Sequence, residues 1–398
     1  MFRTTIITAA LVLAPAAFAK TITVEAGADA QERLQEALIL AEPGDVVALG
    51  EGQFDLTDGL SLDVDKVTLK GVGMNKSVLS FAGQLGAGEG LLVTSDDVVL
   101  RDFAIEDSKG DGIKSKGANR IVYHALRVEW TGGPLATNGA YGIYPVESKD
   151  VLVQDSYVRG ASDAGIYVGQ SDNIIVRRNT AIENVAGIEI ENSYNAEVTE
   201  NLATKNTGGI LVFDLPNLPQ MGGHNVLVAR NAVIDNNTDN FAPEGNIVAG
   251  VPAGTGVMVM ANRNVQVTEN LLVNNGTSNV MIVAYTQKFD DATYDPTPRY
   301  VMVTSNVHGT AGFAPDFEGG SQLAAAMGGS LPHILYDGLG KGVTVNENKT
   351  VGAMTLGLTR VGQSRMEAKP APYKNDAAAT TAALAPITLP ASMEAALK

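Results

Sequence analysis

The sequence predicts an all-β chain, a single-stranded right-handed parallel β-helix, and three observations lead there. A short unit recurs along most of the chain: an Asn or Asp, alternating β-branched residues, then often Asn six positions later. The clearest copies are Asn173-Ile-Ile-Val-Arg-Arg-Asn179, Asn195-Ala-Glu-Val-Thr-Glu-Asn201, Asn225-Val-Leu-Val-Ala-Arg-Asn231 and Asn264-Val-Gln-Val-Thr-Glu-Asn270. A second strand follows each anchor, as Gly142-Ile-Tyr-Pro, Gly165-Ile-Tyr-Val, Gly187-Ile-Glu-Ile, Gly209-Ile-Leu-Val and Gly256-Val-Met-Val. The shortest repeat spacings are 22 to 23 residues, and the longer ones contain insertions. A solenoid accepts such insertions because extra residues bulge outward without disturbing the stack.

Alternation at period two puts Ile143, Ile166, Ile188 and Ile210 inside and the following residue outside. The glycine suits the turn entering the strand. Asparagine tolerates left-handed turn geometry, and stacked asparagines can form amide ladders. Weaker copies start at Asp97, Asn119, Asp150, Tyr300 and Gly342, and a further Asn row runs through Asn184, Asn206, Asn236 and Asn275. An antiparallel sandwich would show turns every 8–12 residues or so but no fixed asparagine row. Leucine-rich repeats are excluded because no helical segment separates the strands.

The ends read differently. Arg3, the apolar run Ile6 to Leu13 and Ala17-Phe18-Ala19 have the form of a secretory signal over 1–19, placing the mature chain in the periplasm or outside the cell. The β-helix is expected over 20–362. Ala28 to Ala41 has helical apolar spacing and is expected to cover the N-terminal end of the solenoid, whose edge strands need protection. Gln322 to Met327 reads as a short helix, and 363–398 as an Ala/Pro-rich tail, wrapping or disordered.

Composition narrows the function classes. The chain has 398 residues, is 45% hydrophobic and contains no cysteine, which excludes disulfides and thiolate chemistry. With 44 acidic against 28 basic residues its formal charge is −16, so nucleic acid and anionic membrane are not expected partners. No apolar run beyond the leader is long enough for membrane insertion. Four histidines in different units, without ligand spacing, give no metal site and no cofactor. Met258, Met260 and Met281 could hold a soft metal, but burial under neighbouring loops is the better account of them.

Insertions at Thr131–Ala140 and Asp235–Thr255 precede the Gly-Ile-x-Val strand, and those at Leu215–Gly223 and Thr286–Arg299 follow it. Loops on both borders of one strand row would wall a groove. Its outward floor reads Lys114, Tyr144, Tyr167, Glu189, Leu211, Met258 and Met281, with Lys116, Val146, Gly169, Glu191, Phe213 and Met260 two residues on. A cation, phenols and carboxylates in adjacent coils suit sugar chemistry. The candidate catalytic residues are Tyr144, Tyr167, Lys114 and Glu189, with a lysine neutralising a uronate carboxylate and a tyrosine exchanging a proton. Tyr141, Lys116, Glu191, Asp163 and Phe213 are the candidate substrate-binding residues. For Asp163, just ahead of Gly165, turn capping competes with binding. Side-chain ladders that merely stabilise the sheet are the competing account of the whole row.

From Ile22 to Thr350 the chain resembles the parallel β-helix proteins of the pectate-lyase-like superfamily. The resemblance rests on Ile22-Thr-Val, Pro43-Gly-Asp and Val67-Thr-Leu-Lys-Gly at the cap and first coil, and on repeats similar to the carbohydrate-binding and sugar-hydrolase repeat. Gly160 to Ser171 and Gly208 to Pro216 resemble exported β-helix proteins. The superfamily implies lyases, hydrolases and epimerases of polysaccharides, alongside members that only bind. Tyr141-Gly142-Ile143-Tyr144-Pro145-Val146 is similar to the Tyr-Gly-Phe-Asp-Pro-His strand of mannuronan C5-epimerases, but Tyr144 and Val146 stand where that motif has its catalytic Asp and His. The expected function is therefore an exported carbohydrate-active protein binding a polysaccharide or oligosaccharide, with lyase- or epimerase-like chemistry. The alternative is a non-catalytic scaffold for a glycan or another exported protein.

Overall fold

The computed structural model describes residues 19–376, 378–380 and 382–398, so the leader expected over 1–19 falls almost wholly outside the described residues. The chain winds through three sheets in turn, with 12, 10 and 12 strands. We label them A (Thr21–Val24 to Thr344–Asn346), B (Gly52–Asp55 to Val307–His308) and C, which starts at Leu60–Leu62. Every pairing is parallel except the last in sheet C, where Ala371–Pro372 runs antiparallel to Ala353–Thr355. No helix among the described residues is long and apolar enough to cross a membrane.

Register follows from the period-two pattern, since a slip of one residue would turn the apolar set outward. In sheet C, Ile143 pairs with Ile166, Ile166 with Ile188, Ile188 with Ile210 and Ile210 with Val257. All five are fully buried in the main core, with Val151, Ile174 and Val226 from sheet A and Val158 and Val233 from sheet B. The recurring glycine has a different cause from the turn expected: a Cβ on Gly187 would lie 2.6 Å from the Gly209 carbonyl oxygen and 2.8 Å from Asn206 Nδ2. The neighbouring coil packs too close for any side chain there.

The asparagine rows divide the work between them. Asn173, Asn195, Asn225 and Asn264, which open the units, have φ between 51° and 62°. Their half-buried amides bond along the stack, Asn225 to Asn195 at 2.8 Å and Asn264 to Asn225 at 2.6 Å. The second Asn of each unit is buried. Asn179, Asn201, Asn231, Asn270 and Asn306 form a continuous ladder at 2.9–3.0 Å that ends on Glu347. Asn184, Asn206, Asn236 and Asn275 form another. Each ladder amide also bonds backbone at its corner; Asn201 donates to Val176 O and accepts from Asn179 N. Buried backbone groups at the corner thereby find partners in the ladder.

Helix α1 (Ala30–Leu40) buries Ala30, Leu34, Ala37 and Leu38 in the main core. Helix α2 spans Gly320–Ala326. The chain after 382 lies along the outer face of sheet A. Leu389 and Met393 cover Val122, Leu152 and Ile175. Arg177 pairs with Glu394 at 2.8 Å, within helix α3 (Ala391–Ala395), and Arg101 donates to Ala396 O.

The ladder makes a quantitative expectation. Asn201→Ala strips partners from the buried Asn179 N–H and Val176 carbonyl and should cost roughly 2–6 kcal/mol, at about 1–3 per orphaned group. Asn195→Ala, in the half-buried row, should cost under about 1 kcal/mol. Chemical denaturation of both variants checks this, and equal losses would show that the inner ladder carries no special share of stability.

Candidate active site

The sheet-C strands present the predicted outward row in register. Lys114 stands beside Tyr144, Tyr167 beside Glu189, Glu189 beside Leu211 and Leu211 beside Met258. Glu191 pairs with Gly169 on one side and Phe213 on the other. Coils about 4.8 Å apart bring these side chains into contact although they lie more than twenty residues apart in sequence.

Loops close over the row from both borders. Asn192, buried and with φ 49°, holds the 215–220 segment through hydrogen bonds to the Leu215 and Gln220 carbonyls. Asn240 holds the 235–254 segment through the Val248 and Val251 carbonyls. Between them lies a cavity of about 500 Å³ whose lining includes Tyr141, Asp163, Glu189, Glu191, Asn246 and Tyr285.

Three carboxylates meet in this cavity, and none is within ion-pair distance of a cation among the described residues. Asp163 lines the cavity and accepts from Asn246 Nδ2 at 3.2 Å. Burial, then repulsion from Glu191, pushes its carboxyl up to about 7. Burial also pushes Glu191 up to about 7, against the hydrogen bond donated by Tyr167 Oη at 2.6 Å. Glu189 is raised well above the usual carboxylate range by burial, then by Glu191 and Asp163. Its Oε2 is buried with no hydrogen-bond partner among the described residues. Glu189 is 1% exposed, against 6% for Asp163 and 8% for Glu191, so the latter two reach the cavity surface further.

The tyrosines form one cluster, with Tyr141 centred 4.5 Å from both Tyr144 and Tyr167. Burial raises all three hydroxyls, Tyr144 to about 12 and the other two higher. They are held protonated, as donors, and Tyr167 is 5% exposed beneath the site. The lysines lie elsewhere. Lys114 Nζ is 3.0 Å from Glu89 and 3.7 Å from Asp111 and sits 5.1 Å over the Tyr144 ring. Lys116 is exposed and pairs with Glu147 at 3.6 Å. Neither is free to meet a substrate carboxylate at the acidic cavity. Phe213, 1% exposed, belongs to an apolar stretch of the same floor with Leu211, Met258, Met281 and Leu335. Packing accounts for those methionines, and no cluster of His, Asp or Glu among the described residues could hold a metal ion. Asn246 comes from an insertion and Tyr285 from the segment just before one, past the end of its strand, where no periodic pattern marks a side chain's direction.

Residues 64–219 match the family model described as right handed beta helix region. No curated protein matches the chain. Among solved structures, the A-module of the mannuronan C-5 epimerase AlgE4 of Azotobacter vinelandii aligns at 14% identity over 80% of this chain and 92% of that one, with a TM-score of 0.51. The Agl-KA catalytic domain aligns at 15% identity over 85% and 67%, TM-score 0.53. The lacto-N-biosidase of Eubacterium ramulus aligns at 13% over 81% and 65%, TM-score 0.50. The chain is a right-handed parallel β-helix protein.

The raised carboxylates link stability to pH. Unfolded carboxylates titrate near 4, so the folded chain holds these protons more tightly. Their contribution is complete below about pH 4 and is lost as pH rises through about 7. The melting temperature of the parent should therefore fall more steeply between about pH 5 and pH 8 than that of Glu189→Gln, in which one buried acid is neutral throughout. Parallel curves in calorimetry would show that the cluster is solvated and unshifted.

Proposed function

We propose that the chain is an exported, carbohydrate-active protein that lays a glycan along the sheet-C groove and exchanges protons with it through Asp163, Glu191 and Glu189. The carrying observation is the set of three buried carboxylates in one walled cavity, none within ion-pair distance of a cation among the described residues. A carboxylic acid still protonated near neutral pH is a proton donor, and an ionised partner beside it is a base or nucleophile. Solved β-helices of similar fold carry the names of glycan enzymes, which agrees with this reading. In the same reading α1 serves as the N-terminal cap, and the solenoid over 20–362 is one domain.

The electrostatics favour cleavage of a bond between neutral sugars over uronate elimination or epimerisation. A uronate carboxylate over this floor would meet three acids and no free lysine. In the hydrolytic step, one of Asp163 and Glu191 gives its proton to the glycosidic oxygen as the carbon–oxygen bond breaks. The other, ionised, assists water at the sugar carbon, so that one water is consumed per bond. Glu189, deeper, keeps one proton shared within the cluster. Tyr167, donating to Glu191, favours its ionised form and so marks it as the base. Tyr141 supplies an aromatic wall to the same cavity.

Incubation with neutral oligosaccharides, followed by reducing-end assay and mass spectrometry, tests the proposal. Glu191→Gln and Asp163→Asn should each lose roughly 10²–10⁴-fold in turnover while still binding. Binding by the parent without turnover would favour the scaffold. Tyr167→Phe removes the hydrogen bond that stabilises ionised Glu191, so the Glu191 carboxyl should rise further and the pH–rate limb it sets should move to higher pH. An unmoved profile would separate Tyr167 from the chemistry.

A further inference from the structure

Two more cavities continue the groove toward the C-terminal coils. The acidic cavity shares Ile247 and Tyr285 with a smaller one of about 100 Å³ over Phe213, Met258 and Met260. That one shares Val283, Ala284, Thr286 and Arg365 with a cavity of about 320 Å³ over Met281 and Leu335. The trough thus runs from three carboxylates, over an apolar floor, to one arginine.

Arg365 opens the short 3-10 helix Arg365–Glu367, whose start is fixed by Ser364 accepting from the Met366 N–H. Its guanidinium lies 5.4 Å over the Phe317 ring. No carboxylate is within ion-pair distance of it among the described residues, and it makes no side-chain hydrogen bond there. Asp337 lines the same cavity, but its oxygens accept from the backbone N–H groups of Ala284 and Leu339, at 2.6 and 2.8 Å. Glu318, the other acid there, is exposed to solvent. Burial holds the Arg365 guanidinium below the usual arginine value, against the pull of Asp337 and then Glu318. An arginine stacked on an aromatic ring, partly desolvated and without a protein partner, has its planar fork available for an oxyanion.

We infer that Arg365 forms an anion subsite at the far end of the groove and selects glycans that carry a carboxylate or sulfate on a sugar a few residues from the neutral sugars at Asp163 and Glu191. The strands of Asp163 and Glu191 are three to five coils from those of Met281 and Leu335, about 14–24 Å along the stack. This rests on the groove reading above, and it assigns the negative charge of the substrate to the end where the floor can accept it.

The test uses the full chain. Phenylglyoxal labels accessible arginines, and mass spectrometry reads Arg365 by itself. D-Glucuronate and glucose 6-sulfate should both protect Arg365, and glucose should not; stronger protection by one than the other identifies the preferred oxyanion. A short xylo-oligosaccharide bearing one glucuronate should bind Arg365→Gln roughly ten- to a hundredfold more weakly than the parent, with a neutral xylo-oligosaccharide unaffected. Glu189→Gln should leave protection by glucuronate intact. Equal protection by glucose and glucuronate, or protection by neither anion, overturns the anion subsite. Protection by glucuronate with no tighter binding of the oligosaccharide that bears it would keep the subsite and overturn the groove as a continuous glycan track.

Discussion

Everything in this molecule depends on coils stacking in register at the spacing of a parallel β-sheet. Along the strands, backbone N–H and carbonyl groups are bonded to the coils above and below, so a strand residue's place is set by the pairing and not by its chain neighbours. The stack tolerates an insertion between sheets B and C, or between C and A, because the ladder of hydrogen bonds resumes at the next strand. The Asn231–Asn270 contact at 2.9 Å spans 39 residues, whereas Asn179–Asn201 at 3.0 Å spans 22, with the same geometry. Long loops can therefore rise over sheet C without disturbing its floor.

That regularity also sets the chemistry. Carboxylates on adjacent outward positions, largely buried beneath loops, are disfavoured from all being ionised together, because burial and mutual repulsion both favour the neutral form. Glu189 and Glu191 lie two residues apart on one strand, and Asp163 precedes the neighbouring strand. Among the described residues no arginine or lysine lies within ion-pair distance of them, in contrast to the outer corner of the stack, where Arg230 lies between Glu200 and Glu269 at 3.7 and 3.6 Å. The chain thus has cation–carboxylate ladders at its surface and a cation-free group of acids inside its groove.

The parts of this arrangement that repeat were legible in the sequence. Ile188, the Asn rows and the Tyr167–Glu189–Leu211 floor follow from period-two alternation and a fixed coil length, which together determine both face and neighbour. Those set by side-chain reach were not. Lys114 belongs to the floor row, but its amino group turns to Glu89 and Asp111, which no periodicity foretells. Asp163, outside the strand proper, turns into the cavity because Asn246, from a distant insertion, meets it there. Arg365 comes from a segment whose Ala/Pro-rich composition suggested a tail. Its position depends on Ser364 and on the packing of Phe317, neither of which belongs to a repeat.

Why the acids lie on these coils follows from the ladders. Burying three carboxylates opposes folding, and the cost must be met locally, since each coil of a solenoid contacts only its neighbours. Strands Ala164–Gly169 and Ala186–Glu191 belong to coils whose corners hold Asn179, Asn184, Asn201 and Asn206, all within 2% of complete burial. One coil toward the N-terminus the inner corners hold Ser156 and Ala161 in place of asparagine, and their backbone N–H groups donate to Asn179 and Asn184. Both asparagine ladders thus start in the coil of Ala164–Gly169, the strand that Asp163 precedes. The ladder amides bond backbone at these corners, which opposes relief of the acids' repulsion by separation of the strands. The carboxylates respond by keeping protons, which is the state a glycosidic oxygen requires of its donor.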